Sequence, residues 1–273
     1  MQRALKNLLF SLLTAALLLG GAELGLRIAG WPDPGIYAGD IASVWWLRAN
    51  LDQDLPFPEQ GTSFHVRTGS MGFRGVDPPP ATIACVGDST TFGWGVSEDE
   101  AWPARLQEIL GEPVLNAATP GYSSHQALAT VDRLLQARPS TVLLALLVRD
   151  AQLAPRPDHL ARPAPAPGLR LMAALGVLLQ RKAAPPPATV PRVDAEHFEQ
   201  NLRDLKQRLS AEGVEVRFVA FPMVEPALEH LEVLDRFDAL RVDLPREAFF
   251  EQDPIHLTAE GHQAMAEQIA AWW

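Results

Sequence analysis

The stretch Val142-Leu143-Leu144-Ala145-Leu146-Leu147 is apolar at every position, where a strand with one face in water would alternate apolar and polar residues. Such a strand must be covered on both faces, which calls for helices above and below a sheet. Other segments fit the same plan. Thr82 to Val86 reads as a second buried strand, Pro113 to Asn116 as a third, and Val214 to Phe221 as a fourth. Helical patterns separate them. They are Trp102 to Leu110, Gln126 to Arg138 with Leu128, Val131, Leu134 and Leu135 on one face, and Ala195 to Glu212 with Phe198, Leu202, Leu205 and Leu209 at three- and four-residue steps. Ser97-Glu-Asp-Glu100 has the form of a capping box, Pro103 suits a first helical turn, and Gly213 marks a helix end. A helix near Pro226 to Phe237, a short segment near Ala239 to Val242 and a last helix from Ala259 to Ala270 complete the series. Four strand-to-helix passes and a closing helix predict an α/β fold, a doubly wound, mostly parallel sheet flanked by helices.

Ligands bind beyond the carboxyl ends of strands in such sheets, so the residues that follow each strand come first in a search for chemistry. The strand ending at Val86 runs into Gly87-Asp88-Ser89-Thr90, and Asp253-Pro254-Ile255-His256 precedes the last helix. Taken singly, each motif has a plain structural reading as a turn or helix cap. Taken together, they supply the serine, the imidazole and the orienting carboxylate that acyl transfer needs, because a serine hydroxyl is a poor nucleophile without a neighbouring base.

Ser89 in Gly-Asp-Ser-Thr, Gly121 in Asn116-Ala-Ala-Thr-Pro-Gly121-Tyr-Ser, and Asp253-x-x-His256 resemble the first, second and fifth blocks of the SGNH, or GDSL, hydrolases. The resemblance runs from about Ile83 to Trp273 and is most specific over Cys85 to Val96. It implies an SGNH-hydrolase, flavodoxin-like fold, Ser89 as nucleophile, His256 as general base and Asp253 as its partner. It also implies an oxyanion hole built from the amides of Ser89 and Gly121. The family's third block reads Gly-x-Asn-Asp, whereas here the strand ends in Leu147-Val148-Arg149-Asp150, so Arg149 stands where the third oxyanion donor is expected. Three placements of Arg149 are open: folded back as an oxyanion donor, turned outward towards an anionic substrate, or paired with Asp150 or another acid.

Arg3 and Lys6 precede the charge-free run Leu8 to Ala22, and a weaker apolar segment continues to Gly30. Fifteen charge-free residues suit a signal-peptide core, but Glu23 and Arg27 near the outer interface would let a helix from about Ala4 to Ala29 serve as an uncleaved anchor. Basic residues at the amino end predict that this end stays in the cytoplasm and the rest is exported, to the periplasmic or extracellular side, or is secreted if the leader is cut. A buried helix of a soluble fold is the alternative. The expected organisation is a signal-anchor helix over 1–30, an irregular extension over 31–80 that packs on the catalytic domain, and an SGNH-type catalytic domain over 81–273. Within the extension, Thr62 to Arg67 reads as an edge strand and Ser70 to Gly75 as a turn.

A proline-rich insertion at 154–191 interrupts the catalytic domain, with the short apolar segment Leu169 to Leu179 inside it. That segment predicts a helix packed on the domain surface, with a lid, an acyl-binding wall or a membrane contact as alternatives.

With 33 acidic against 23 basic residues and no basic run, no nucleic-acid partner is expected. Cys85 is the single cysteine and reads as a packing residue on a buried strand. The seven histidines lack ligand-like spacing, so neither a metal nor a cofactor is expected. The expected activity is that of a serine-dependent ester hydrolase or acyltransferase. The resemblance to membrane-anchored members implies an acylated carbohydrate of the cell envelope, most simply O-acetylated, as substrate. A lipid or short-chain acyl ester is the second reading. A glycan-binding module with little or no catalysis, Arg149 blocking the oxyanion hole, is the third. Oligomeric state is not legible in the chain.

Overall fold

The computed structural model describes residues 2–31, 35–40, 44–77, 79, 83–160, 169–180, 186–223 and 227–273. The chain opens with helix α1 (Gln2–Ile28) and two antiparallel ribbons, β1 (Tyr37–Asp40) with β2 (Val44–Leu47), and β3 (Asp52–Phe57) with β4 (Thr62–Arg67). Strand and helix then alternate through β5 (Ile83–Gly87), α2 (Ser89–Phe92), α3 (Trp102–Leu110), β6 (Val114–Asn116), α4 (Ser124–Ala129), α5 (Val131–Gln136), β7 (Thr141–Ala145) and α6 (Val148–Ala151). The insertion carries β8 (Leu153–Ala154), α7 (Arg170–Gln180) and β9 (Val190–Pro191). The chain closes with α8 (Ala195–Ala211), β10 (Glu215–Ala220), α9 (Leu228–Asp235), β11 (Leu240–Arg241) and α10 (Ala259–Trp272).

β5, β6, β7, β10 and β11 form one parallel sheet in the order β11-β10-β7-β5-β6. The chain leaves β5 towards one edge and returns to its other side with β7, so the crevice of this doubly wound, flavodoxin-like sheet opens beyond the ends of β5 and β7. Both faces are covered, as the apolar strands require. Ile83, Cys85, Leu143 and Ala145 pack beneath Trp102 and Leu106 of α3 and Met265, Ala266 and Ile269 of α10. Their neighbours Ala84, Val86, Val142 and Leu144 pack on the other side against Val131, Leu134, Phe198, Leu202 and Leu205. A third cluster joins Phe57, Phe64 and Val66 of the ribbons to Phe92 and Ala118 beside the crevice.

Several boundaries differ from the sequence reading, each for a local reason. The helix expected over Gln126 to Arg138 is two helices meeting at Thr130, whose hydroxyl donates to the Ala127 carbonyl and competes with the helical ladder. It begins earlier because Ser123 and Gln126 form a capping box, and Arg138 ends the second helix with φ +51°. The Ser97–Glu100 box caps a single 3-10 turn, Glu98–Glu100, and α3 starts after it at Trp102. Pairing of β7 stops at Ala145, while Leu146 and Leu147 remain buried. The segment near Ala239 proves to be a fifth parallel strand. β4 has the predicted span, but its partner β3, with Asp52, Asp54 and Pro56, carries little strand signal of its own. Thr82, Pro226 and the insertion stretches 161–168 and 181–185 lie outside the described residues.

α7, the helix of the insertion, starts at Arg170, one residue after the start of the predicted apolar segment. It packs on α1, and the Glu23 carboxylate accepts hydrogen bonds from the Arg170 and Leu171 amides at 3.0 and 2.9 Å, so the one acidic side chain of α1 caps a helix of the insertion.

Candidate active site

The path from β5 into α2 is a tight elbow. A Cβ at Gly87 would lie 2.2 Å from Thr91 Oγ1 and 2.8 Å from the Ala145 carbonyl oxygen, so a side chain there would clash. Asp88 caps the helix, its Oδ1 accepting from the Thr90 amide at 2.8 Å and the Thr90 hydroxyl at 2.7 Å. The capping role in this motif therefore falls to Asp88, and the buried Ser89 hydroxyl beside it is engaged elsewhere. Two side chains brace the elbow from behind. Asn116 Nδ2 donates to the Thr91 and Phe92 carbonyls at 3.2 and 3.1 Å. Arg74, over the Phe92 ring at 4.4 Å, donates to the carbonyls of Phe92, Gly93 and Val96. Burial pushes the Arg74 guanidinium down to about 10, with Glu98, Asp99 and Glu100 opposing, so it stays charged at neutral pH.

His256 reaches the same point from the opposite end of the sequence. Its Nε2 lies 2.8 Å from Ser89 Oγ, and its Nδ1 lies 2.5 Å from Asp253 Oδ2. Asp253 Oδ1 also accepts from the Ile255 and His256 amides at 3.1 and 3.3 Å. Burial works to raise the Asp253 carboxyl, but the bonds and charge of the His256 ring and these two amides outweigh it and hold the group below its ordinary value. An ionised acceptor facing Nδ1 favours the tautomer with a proton on Nδ1, which leaves Nε2 free to accept one from serine. Arg246 shapes this loop by donating to the carbonyls of Phe250 and Glu251 at 3.0 and 2.8 Å.

Arg149 sits on α6, just past the end of β7, and its guanidinium turns into the crevice. Nη2 donates to Ser89 Oγ at 3.2 Å and Nη1 to Gln152 Oε1 at 2.9 Å. Its side chain thus points towards Ser89 rather than away from the crevice. Asp150 forms no pair with it. That carboxyl is fully buried, accepts from the Ser124 amide at 2.8 Å, and is pushed up to about 7 by burial against the opposing pull of Ser124.

Gly121 occupies a turn beside the end of β5, where the Thr119 amide donates to the Gly87 carbonyl at 3.1 Å and the Tyr122 amide to the Thr119 carbonyl at 3.1 Å. Pro120 followed by Gly121 at φ +85° has the pattern of a type II turn. Next to Arg149 lies a cavity of about 510 Å³ walled by Val148, Phe221, Pro222, Pro254 and Ile255, with Gln152 at its polar side. A neighbouring cavity of about 500 Å³ shares Phe221, Pro222 and Met223 with it and extends to Arg241 and Arg246.

The fold thus brings Ser89, His256, Asp253 and Arg149 into one hydrogen-bonded group, with Gly121 in the adjoining turn. Sequence reasoning did not single out Arg246 or Arg74, whose contacts are with bare carbonyls, or Gln152, which bonds a neighbouring arginine whose direction the sequence leaves open, and no short motif exists for either kind of contact. Cys85 faces the core on β5, where burial pushes its thiol well up. Among the described residues no group of three or more His, Cys, Asp or Glu side chains is placed to hold a metal ion.

The sequence model of the GDSL-like lipase/acylhydrolase family matches residues 85–264. No curated protein matches the chain at a significant level. Among solved structures, a G-D-S-L family protein of Desulfitobacterium hafniense is 14% identical, with 71% of this chain and 99% of that one covered and a TM-score of 0.49. The psychrotrophic esterase EstA of a Pseudoalteromonas species is 16% identical, covering 70% and 95%, with a TM-score of 0.46. A catalytic mutant of the acetylxylan esterase Axe2 of Geobacillus stearothermophilus is 13% identical, covering 70% and 93%, with a TM-score of 0.45.

Proposed function

The chain belongs to the GDSL-like lipase/acylhydrolase family and is a serine esterase of that family, and from this premise we propose its catalytic residues, its substrate and its place at a membrane. Ser89 is the nucleophile, His256 the general base and Asp253 the group that holds the imidazole tautomer. The observation that carries this reading is the continuous chain of hydrogen bonds from Asp253 Oδ2 through the His256 ring to Ser89 Oγ.

As Oγ bonds to the ester carbonyl carbon, its proton passes to His256 Nε2 and the carbonyl π pair moves onto oxygen. The amides of Ser89 and Gly121 stabilise that oxyanion, and Arg149 stands in for the missing asparagine. Its guanidinium is already within hydrogen-bond distance of Oγ, and its Nε is without a partner among the described residues. Collapse breaks the bond to the leaving alcohol, which takes the proton from His256. Water, or a sugar hydroxyl in a transferase, then attacks the acyl-enzyme by the same route in reverse.

The substrate we propose is an O-acetyl ester on a cell-envelope or exported polysaccharide. The apolar cavity beside Arg149 favours a second reading, a longer acyl ester whose chain lies against Val148, Phe221 and Ile255. Leu5–Ile28, with a mean hydropathy of 1.8, is long and apolar enough to cross a membrane. It serves in this proposal as an anchor that leaves the catalytic domain on the exported side. The Ser89→Ala and Arg149→Ala variants test the site together. The first is expected to abolish turnover of a chromogenic acetyl ester and labelling by a fluorophosphonate. The second is expected to lower kcat about a hundredfold while labelling at Ser89 persists. Full activity in Ser89→Ala would reject the assignment, and a panel of acetylated sugars against longer acyl esters separates the two substrate readings.

A further inference from the structure

We infer that Trp45, from the extension ahead of the family match, and Arg192, at the foot of the insertion, are positioning residues that together aim the Gly121 amide; this rests on the reading of that amide as an oxyanion donor. A trans peptide is planar, with its C=O and N–H pointing in opposite directions. Trp45 Nε1 donates to the Pro120 carbonyl at 3.2 Å, so the tryptophan holds one edge of the Pro120–Gly121 peptide and thereby directs the Gly121 N–H at the other edge. Arg192 Nη1 donates to the Gly121 carbonyl at 2.7 Å and holds the following peptide. Gly121 is thus gripped through the peptides on both sides of its Cα. That matters because a glycine at φ +85° has more backbone freedom to lose than any other residue.

Each of the two grips is itself braced. The Tyr122 hydroxyl donates to the Trp45 carbonyl at 2.7 Å, the two rings meet edge to face at 5.6 Å, and a Cβ at Gly121 would stand only 3.3 Å from the Trp45 ring. Arg192 is locked by Asp158: Nε lies 3.1 Å from both carboxylate oxygens and Nη2 lies 2.8 Å from Oδ2. Asp158 Oδ2 also accepts from the Ser123 hydroxyl at 2.7 Å and from Gln126 Nε2 at 3.2 Å, and both side chains of the ion pair are about one-tenth exposed. A buried ion pair contributes little net stability over an apolar pair of equal volume, because desolvation offsets its attraction. What an apolar pair would not provide is a directed donor to the Gly121 carbonyl.

The test compares Trp45→Phe, which keeps a ring but removes the N–H, with Arg192→Met and Arg192→Lys. Each is assayed for kcat and KM on a chromogenic acetyl ester and for melting temperature, with Ser89→Ala as reference. Trp45→Phe and Arg192→Met are expected to lower kcat about ten- to a hundredfold with KM within about twofold, since misdirecting a donor weakens the transition state more than the bound substrate. Arg192→Lys, which restores a donor, is expected to recover part of the loss. Unchanged kcat in Trp45→Phe and Arg192→Met, with Ser89→Ala inactive, overturns the inference and leaves the serine mechanism standing. So does a loss of kcat that simply follows the melting temperature across the set. An active Ser89→Ala overturns the reading beneath it. If Arg192→Met fails to fold, Trp45→Phe decides alone.

Discussion

Asp150 follows Arg149 in the chain, yet burial rather than pairing governs its chemistry. Its Oδ1 accepts from the Ser124 amide while its Oδ2 is buried without a partner among the described residues. Burial pushes the carboxyl up to about 7 from an ordinary value of 3.8. The folded protein therefore holds this proton more tightly than the unfolded chain. The resulting stabilisation is complete below about pH 4, declines as pH rises, and is gone above about pH 7. Asp150→Asn, which mimics the protonated state, is expected to melt close to the parent at pH 4 and above it at pH 8. A difference that does not grow with pH would show that folding does not raise the carboxyl above its ordinary value. The neighbouring contact of Ser89, His256 and Asp253 was readable because Asp253 and His256 are three residues apart and Ser89 sits at a strand end, and both are local patterns. The direction of the Arg149 stem was not readable, because a guanidinium on so long a side chain can reach in, out or sideways from one backbone position.

Among the secondary-structure elements, α10 has the most direct influence on the site. Thr258 caps it, accepting from the Gly261 amide at 3.1 Å, while the Thr258 amide donates to the Ala248 carbonyl at 2.9 Å. Gly261 makes this contact possible, since a Cβ there would lie 2.0 Å from the Ala248 carbonyl oxygen. Glycine to alanine in a helix ordinarily stabilises by up to about 1 kcal/mol. Gly261→Ala is expected to do the reverse, destabilising by about 1–3 kcal/mol through overpacking and lowering kcat as α10 shifts the Asp253–His256 loop. Thermal unfolding alongside kinetics checks it, and a more stable, fully active variant would refute it. At this scale the chain was largely legible, because α8 repeats its apolar residues at three- and four-residue steps and the central strands are continuous apolar runs. The break at Thr130 and the strand β3 were not, because a side-chain bond to a carbonyl and a pairing made by polar residues leave little trace in hydropathy.

At the scale of the whole molecule, α1 and α7 stand apart from the sheet core. Leu5–Ile28 spans 24 residues, on the order of 36 Å at the helical rise, against roughly 30 Å of bilayer hydrocarbon. α7, docked on it through Glu23, leaves Met172, Leu175, Leu178 and Leu179 exposed. The full chain is expected to sediment with membranes and resist carbonate extraction, and a chain lacking residues 1–30 to remain in the soluble fraction. Equal partitioning of the two would remove the anchor from the proposed function. The doubly wound sheet and the candidate group Ser89, His256 and Asp253 were legible in the sequence alone, since apolar runs, helical periodicity and motifs a few residues long act over short range. Tertiary structure decided where Arg149 points, what grips the turn at Gly121 and where α7 docks. Those contacts join residues 60, 71, 75 and 147 positions apart, and only packing of the folded chain brings such groups within bonding distance.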